Sequence, residues 1–109
     1  MLEAILGSAN CERVLIYLCA RNEGYARGIS RFFDTPLAPI QKQLEKLEAG
    51  AVLFSRLEGR TRLYAFNPRY PFLKEITGLL EKAINFYPEE TRLELLMNRR
   101  RPRRARKPL

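Results

Sequence analysis

The side chains in this sequence that are best suited to binding are basic, and many of them lie in one run. The stretch RRRPRRARKPL at residues 99–109 carries seven basic side chains and no acid. The formal net charge is +8, so residues 1–98 retain only about +1. Arms of this kind commonly bind polyanions such as nucleic acid. We expect the basic tail to be disordered and to contact phosphates through Arg99, Arg100, Arg101, Arg103, Arg104, Arg106 and Lys107.

Catalytic chemistry has no comparable support in the sequence. The chain contains no histidine, and its two cysteines, Cys11 and Cys19, fall eight residues apart on one predicted helix. That spacing is roughly 12 Å along the helix axis, too far for a disulfide. No metal-ligand spacing, glycine-rich phosphate loop or Ser/His/Asp set is present. We therefore predict a protein that is not an enzyme, with no cofactor and no metal, and with both cysteines in its core.

Length and composition indicate one folded domain. The chain has 109 residues, of which 46% are hydrophobic and eleven are aromatic, so it can form a packed core. No apolar run approaches the length of a membrane span, and the opening residues MLEAILGSAN lack the basic start of a signal peptide. These features, together with the few cysteines, predict a cytoplasmic protein that does not associate with a membrane.

Apolar spacing predicts the helices that frame the polar side chains. The first helix is expected to begin near Cys11, with Asn10 as its cap, and to end at Asn22–Gly24. A second, short helix is expected from Tyr25 to Phe33. After a third helix and a hairpin, residues 72–87 are predicted to form another helix with Phe72, Ile76, Leu79, Leu80, Ala83 and Ile84 inward. Residues 89–98 are predicted to form one more amphipathic segment.

The third helix lies in TPLAPIQKQLEKLEAG, residues 35–50. Thr35 is expected to cap it, Pro36 to occupy the first helical position, and Gly50 to follow its end. Its core side is predicted to consist of Leu37, Ile40, Leu44 and Leu47. Ala38, Pro39, Lys42, Glu45 and Lys46 face away from that side, with Gln41 and Gln43 on the flanks.

Two strand-like runs follow, at Val52–Leu57 and Thr61–Phe66, around a tight Glu58-Gly59-Arg60 turn. This pattern predicts a β-hairpin. Its register stays open, because a two-residue and a three-residue loop would put opposite faces of the second strand inward.

The order helix, helix, tight turn, helix, hairpin, helix resembles the winged helix-turn-helix transcriptional regulators of the ArsR/MarR-like type. The resemblance rests on the third helix up to Leu47-Glu48-Ala49-Gly50, Val52-Leu53, the Glu58-Gly59-Arg60 wing and the strand ending at Asn67-Pro68. It covers roughly residues 10–87. It implies a mainly α fold with a small β-hairpin (α+β) and additional C-terminal helices. We expect a DNA-binding domain at 1–87, a helical extension at 88–98 and the basic tail at 99–109.

The resemblance also implies a site. Recognition helices of the family place the exposed side of their first two turns in the major groove, and wing arginines enter the minor groove or grip phosphates. With a recognition helix at 36–48 and a wing at 56–62, the matching positions are Thr35, Ala38, Pro39, Gln41, Lys42, Lys46, Arg56, Arg60 and Arg62. Pro39 departs from the family, which often has a small residue there. The absence of histidine and of a close cysteine pair disfavours metal sensing. No effector ligand can be named.

Three kinds of partner are compatible with these features. Double-stranded DNA is favoured, with a symmetric homodimer built from surplus apolar side chains at Ile16, Tyr17, Leu93, Leu96 and Met97. The nearly neutral body would also suit a winged helix that serves as a protein-protein interaction module. An arginine-rich arm does not distinguish RNA from DNA, so RNA binding is a further alternative.

Overall fold

The computed structural model describes residues 1–96, and the expectations for Met97 and for the basic tail lie outside that part of the chain. In chain order the elements are α1 (Glu3–Leu6), α2 (Ala9–Arg21), β1 (Glu23–Tyr25), α3 (Ala26–Phe32), α4 (Leu37–Ala49), β2 (Leu53–Glu58), β3 (Thr61–Phe66) and α5 (Leu73–Ile84). Residues 89–96 are also helical and are named α6. The predicted α+β class and the order of the main elements are confirmed.

The hairpin belongs to a three-stranded antiparallel sheet with the strand order β1-β3-β2. Strand β1 was not predicted; the prediction ended the first helix at Asn22–Gly24 and added no strand. Asn22 does end α2, but Glu23 pairs with Ala65 and Tyr25 with Leu63. A Cβ atom at Gly24 would lie 2.6 Å from the Tyr17 ring, so this close approach of strand and helix requires glycine.

The sequence left the register of the hairpin undetermined, and in the structure the two strands are joined by a two-residue loop. Glu58 pairs with Thr61, which leaves Gly59 and Arg60 in the loop. Gly59 has a φ of 66°, the left-handed conformation that tight hairpin turns place on glycine. This register turns Leu53, Tyr64 and Phe66 toward the helices.

Three helix starts differ from the prediction. Ser8, rather than Asn10, caps α2, and its Oγ accepts the Cys11 N–H at 3.0 Å. Pro36, rather than Thr35, is the cap residue of α4, since the Thr35 hydroxyl donates instead to the Phe33 carbonyl. Phe72 precedes α5 and is 62% exposed, so it does not pack inward. Each of these helices begins within one or two residues of the predicted position, and the residue at which a helix starts depends on the path of the preceding loop.

Helix α2 is the centre of the core and packs against α4, α5 and the sheet. Ile40 and Leu44 of α4 are fully buried against it, as predicted. Ile16 and Tyr17, predicted to be surplus surface for a dimer, are also buried within one chain. The reason is that α2 is surrounded by helices and strands on most of its circumference. Of the cysteines, Cys11 is buried and Cys19 is half-buried against the core.

Among residues 1–96, no helix is long and apolar enough to cross a membrane.

A buried carboxylate joins the start of the chain to the segment that follows α5. Glu12 is 4% exposed, and its Oε1 accepts the Leu2 N–H at 2.7 Å and lies 3.1 Å from the Met1 amino group. Its Oε2 accepts the Tyr87 hydroxyl. Burial alone would raise the pKa of Glu12, but the hydrogen bonds from Tyr87 and Leu2 outweigh it and lower that pKa below its ordinary value of 4.5. Burial and the same contact raise the pKa of Tyr87.

Replacing Tyr87 by phenylalanine is therefore expected to lower the free energy of unfolding by about 1.5–3 kcal/mol at neutral pH, because a buried charge loses a donor. The folded-state pKa of Glu12 is depressed, so its contribution is complete above pH 4.5 and is lost as the pH falls below that value. The difference between wild type and variant should shrink accordingly in acid. Urea titrations between neutral and acidic pH measure it.

Tyr70→Phe is the matched control, since the Tyr70 hydroxyl makes no hydrogen bond within residues 1–96. Equal destabilisation by both substitutions, or a Tyr87→Phe effect that does not depend on pH, would contradict the assignment.

Candidate nucleic-acid interface

The outer side of α4 presents polar side chains in a row. Ala38, Gln41, Lys42 and Lys46 are exposed, opposite the buried Ile40 and Leu44. Thr35 and Pro39, also predicted to be contact residues, are half-buried, and the Thr35 hydroxyl is engaged with Phe33. The structure therefore places Gln41, Lys42 and Lys46 on one exposed side of α4, the first two in its first two turns and Lys46 in its last turn.

The turn between α3 and α4 fixes the direction of this surface. Asp34 adopts a φ of 53°, which reverses the chain after α3. The Thr35 N–H donates to the Ser30 carbonyl at 3.0 Å, and the Ser30 hydroxyl donates to the Thr35 carbonyl. Ile29 of α3 is fully buried and α3 packs against α4, so hydrogen bonds and apolar packing together join the two helices.

The three wing arginines differ in their availability. Arg60 is exposed in the hairpin loop and has no ion-pair or hydrogen-bond partner within residues 1–96. Arg56 is held by Glu58 at 2.8 Å and lies 3.7 Å from Glu23, a pairing that ties β2 to β1 across β3. Arg56 thus has a role within the sheet, whereas the Arg60 guanidinium is available to an external anion.

Two side-chain hydrogen bonds in series link α4 to the wing. Arg62 Nη1 donates to Ser55 Oγ at 3.0 Å, and Ser55 Oγ donates to Glu48 Oε2 at 2.8 Å. Glu48 lies in the last turn of α4, so the two bonds connect that helix to both strands of the hairpin. Glu48 is thus a structural contact between α4 and the wing.

The positive charge of the described chain is concentrated around this surface. Residues 26–62 contain seven basic and four acidic side chains, whereas the rest of residues 1–96 contains six basic and eight acidic ones. Arg27 and Arg31 contribute two of the seven, and both are exposed on α3. The sequence analysis did not include them. Their spacing of four residues on a predicted helix was the signal that could have found them, because it places them on one side.

Within the described part of the chain, no group of three or more His, Cys, Asp or Glu side chains could hold a metal ion.

The helix pair α3–α4 and the β2–β3 wing define a winged helix-turn-helix protein. The fold is similar to that of ZitR from Lactococcus lactis, in two structures of a mutant of that protein. The apo form superposes with a TM-score of 0.54 at 19% identity, over 75% of this chain and 70% of ZitR. The second structure gives 0.52 at 17% identity, over 83% and 69%. No family model matches the sequence, and no curated protein matches it. At these identities the likeness extends to the fold alone.

Proposed function

We propose that this chain is a small transcriptional regulator that binds double-stranded DNA in a sequence-specific manner. Helix α4 enters the major groove, and the wing lies on the minor groove or on phosphates. One observation carries the proposal: the exposed side of α4 presents Gln41, Lys42 and Lys46, and Arg60 in the wing loop is exposed with no partner within residues 1–96. A recognition helix and wing require this combination of base-reading and phosphate-binding donors.

The chemistry of these side chains suits base recognition. A glutamine amide pairs with both the N6 and N7 edges of adenine, and a lysine reaches guanine or a phosphate. Gln41 and Lys42 supply these groups within the first two turns of α4, where recognition helices contact bases. Arg60 supplies a planar guanidinium that suits phosphate or a narrow minor groove. The DNA-binding unit in this proposal is residues 1–87, with α6 as an extension and the tail beyond it.

In vitro selection on random duplex DNA tests the proposal. Enrichment of one motif by the full chain, and its disappearance when Gln41 and Lys42 are replaced, is the expected result. Pseudo-palindromic motifs would further indicate a symmetric dimer. Failure to enrich any duplex sequence would contradict sequence-specific binding.

The alternatives rest on a different observation, the near-neutral charge of residues 1–98. A winged helix acting as a protein-protein module would bind duplex DNA only through the tail, and replacing the basic tail would then abolish all binding. An RNA-binding protein would prefer single-stranded or structured RNA to duplex DNA in direct competition. The concentration of basic residues at positions 26–62 favours a nucleic acid over a protein partner. The helix-turn-helix with its wing favours duplex DNA over RNA.

We further propose a symmetric homodimer whose interface residues differ in part from those expected from the sequence. Ile16 and Tyr17 are already buried, but Ile5, Phe86, Leu93 and Leu96 are exposed by 70%, 69%, 49% and 44%. Ile5 lies in α1, Phe86 in the turn after α5, and Leu93 and Leu96 in α6, toward the two ends of the described chain. Exposed apolar groups of this number favour an interface between subunits. A dimer would set two recognition helices about 34 Å apart, one turn of DNA.

Sedimentation at micromolar concentration is expected to show a dimer. The double substitution Phe86→Ser and Leu93→Ser should shift the protein toward monomer, because both side chains lose apolar surface that the partner would cover. Leu57→Ser is the matched control: it is 61% exposed but lies in the wing, and should leave the dimer intact. A wild-type protein that sediments only as a monomer would contradict the dimer.

A further inference from the structure

A serine in the wing joins two side chains of opposite charge. Ser55 is half-buried on β2, and its Oγ accepts a hydrogen bond at 3.0 Å from Nη1 of Arg62 on the neighbouring strand β3. The same Oγ donates to Glu48 Oε2 of α4 at 2.8 Å. Within residues 1–96, Arg62 and Glu48 form no ion pair with each other. The serine hydroxyl is therefore the connection between them.

The direction of these two bonds follows from the chemistry of the groups. A guanidinium can only donate hydrogen bonds and an ionised carboxylate can only accept them, whereas a hydroxyl does both. Because Glu48 takes the proton of Ser55, the lone pairs of the serine Oγ remain for the guanidinium of Arg62. Hydrogen bonds arranged in such a chain polarise and strengthen one another.

The strand register places Arg62 on the side of the hairpin that faces the helices. Tyr64, two residues further along β3, lies on the same side and packs in the core with Leu53. Arg56 lies on the opposite side, where it pairs with Glu58. Arg62 itself is exposed, and its Nε and Nη2 have no partner within residues 1–96. The guanidinium is thus held at one nitrogen and available to an external anion at the other two.

We infer that Ser55 is a positioning residue, which holds the Arg62 guanidinium on the α4 side of the wing so that its free donors bind a backbone phosphate of the DNA duplex whose major groove α4 occupies. The inference rests on the proposed function and adds to it the residue that sets one of the phosphate contacts. An arginine restrained before binding loses less conformational entropy on binding than a freely rotating one. Phosphate contacts of this kind fix the orientation of the protein on the duplex without reading bases.

A pair of substitutions at Ser55 isolates the contribution of the hydroxyl. Ser55→Thr and Ser55→Val introduce side chains of similar shape, both suited to a strand, and only threonine keeps the hydroxyl. Each is made in the wild-type and in an Arg62→Met background. The full chain is titrated at several salt concentrations with a mixed-sequence DNA duplex of about 30 base pairs, roughly three helical turns.

Thr61→Val is the matched control for the loss of a hydroxyl from the wing. Thr61 is exposed on the side of the hairpin opposite to Arg62, and its hydroxyl makes no hydrogen bond within residues 1–96. This substitution should leave the affinity for the duplex unchanged.

In the wild-type background Ser55→Val should bind roughly two- to fivefold more weakly than Ser55→Thr, because Arg62 must then be ordered as it binds. Arg62→Met should lower the log-log salt slope by about 0.9, the value for one phosphate. In the Arg62→Met background the two Ser55 variants should bind equally.

Three results would overturn the inference while the proposed function stands. A purely structural role of Ser55 would give the same difference between valine and threonine in both backgrounds. Tighter binding by Ser55→Val than by Ser55→Thr would mean that the serine withholds Arg62 from DNA. An unchanged salt slope in Arg62→Met would mean that Arg62 does not bind phosphate.

A second variant keeps the test valid if Ser55→Val does not fold. Ser55→Ala removes the same hydroxyl without adding volume at the half-buried position, and the same difference from Ser55→Thr is expected of it. Equal binding of this variant and Ser55→Thr would overturn the inference. A wild-type chain that binds no duplex would overturn the proposed function and the inference together.

Discussion

Replacing Gln41 and Lys42 together by alanine is expected to weaken binding to a selected DNA site by roughly 1–3 kcal/mol for each base-edge interaction that the substitution removes, or about five- to 150-fold per interaction. Both side chains are exposed on α4, on the side that does not pack against α2. A base edge left without its donor or acceptor costs more than a phosphate left without its cation, because the base edge has been taken out of water without a partner. Fluorescence anisotropy with the selected duplex measures the effect.

The stability of the double variant should hardly change. Gln41 and Lys42 make no side-chain hydrogen bond or ion pair within the described residues, and alanine is the best helix former. Lys74→Ala is the control for charge, since Lys74 is an exposed lysine on α5. It should weaken binding far less than the double substitution. Unchanged affinity of the double variant for its selected site would mean that the recognition side of α4 has been wrongly assigned.

Replacing the seven basic residues of the tail by glutamine is expected to weaken binding to every duplex by a similar factor, more than tenfold at low salt. Each phosphate interaction that is removed lowers the log-log salt slope by about 0.9. The tail carries seven of the eight net charges of the chain, so most of the sequence-independent affinity should disappear with it. The ratio of specific to nonspecific affinity should stay nearly constant.

Titrations of a selected and a scrambled duplex at several salt concentrations separate the sequence-independent affinity from the sequence-specific affinity. An unchanged salt slope would show that the tail does not touch phosphate. A collapse of the specificity ratio would show that the tail reads bases, in the way that the arms of homeodomains enter the minor groove. The dimer substitutions should leave the salt slope per subunit unchanged, which distinguishes removal of the tail charges from disruption of the dimer.

Local patterns in the sequence were sufficient to predict the main helices and the hairpin. Ile40 and Leu44 recur at helical spacing and are fully buried, and the strand-like run Thr61–Phe66 forms β3. These features need only neighbouring residues, because helical periodicity and tight turns are determined over a few positions. The exposed row on α4 follows from the same periodicity, so much of the candidate site was accessible from sequence.

The partners of individual charged side chains were not accessible in this way. Arg56, Arg60 and Arg62 are alike in sequence, yet only Arg60 has no described partner, because Glu23 and Ser55 reach the other two across the sheet. Glu23 belongs to a strand whose three residues carry no clear pattern. It becomes a strand by pairing with residues about forty positions away. Contacts at such a distance along the chain depend on how the elements pack, which no local pattern encodes.

The sequence by itself determined the fold class, the exposed side of α4 and the uneven charge, since each depends on residue types and their spacing. Only the tertiary structure decided the hairpin register, the burial of Ile16 and Tyr17, and the contact of Arg21 with the carbonyls of α6. The physical reason is that burial and hydrogen bonding are properties of neighbours in space. A helix such as α2 has surplus apolar surface in isolation, and that surface is covered only when the elements that surround it are in place.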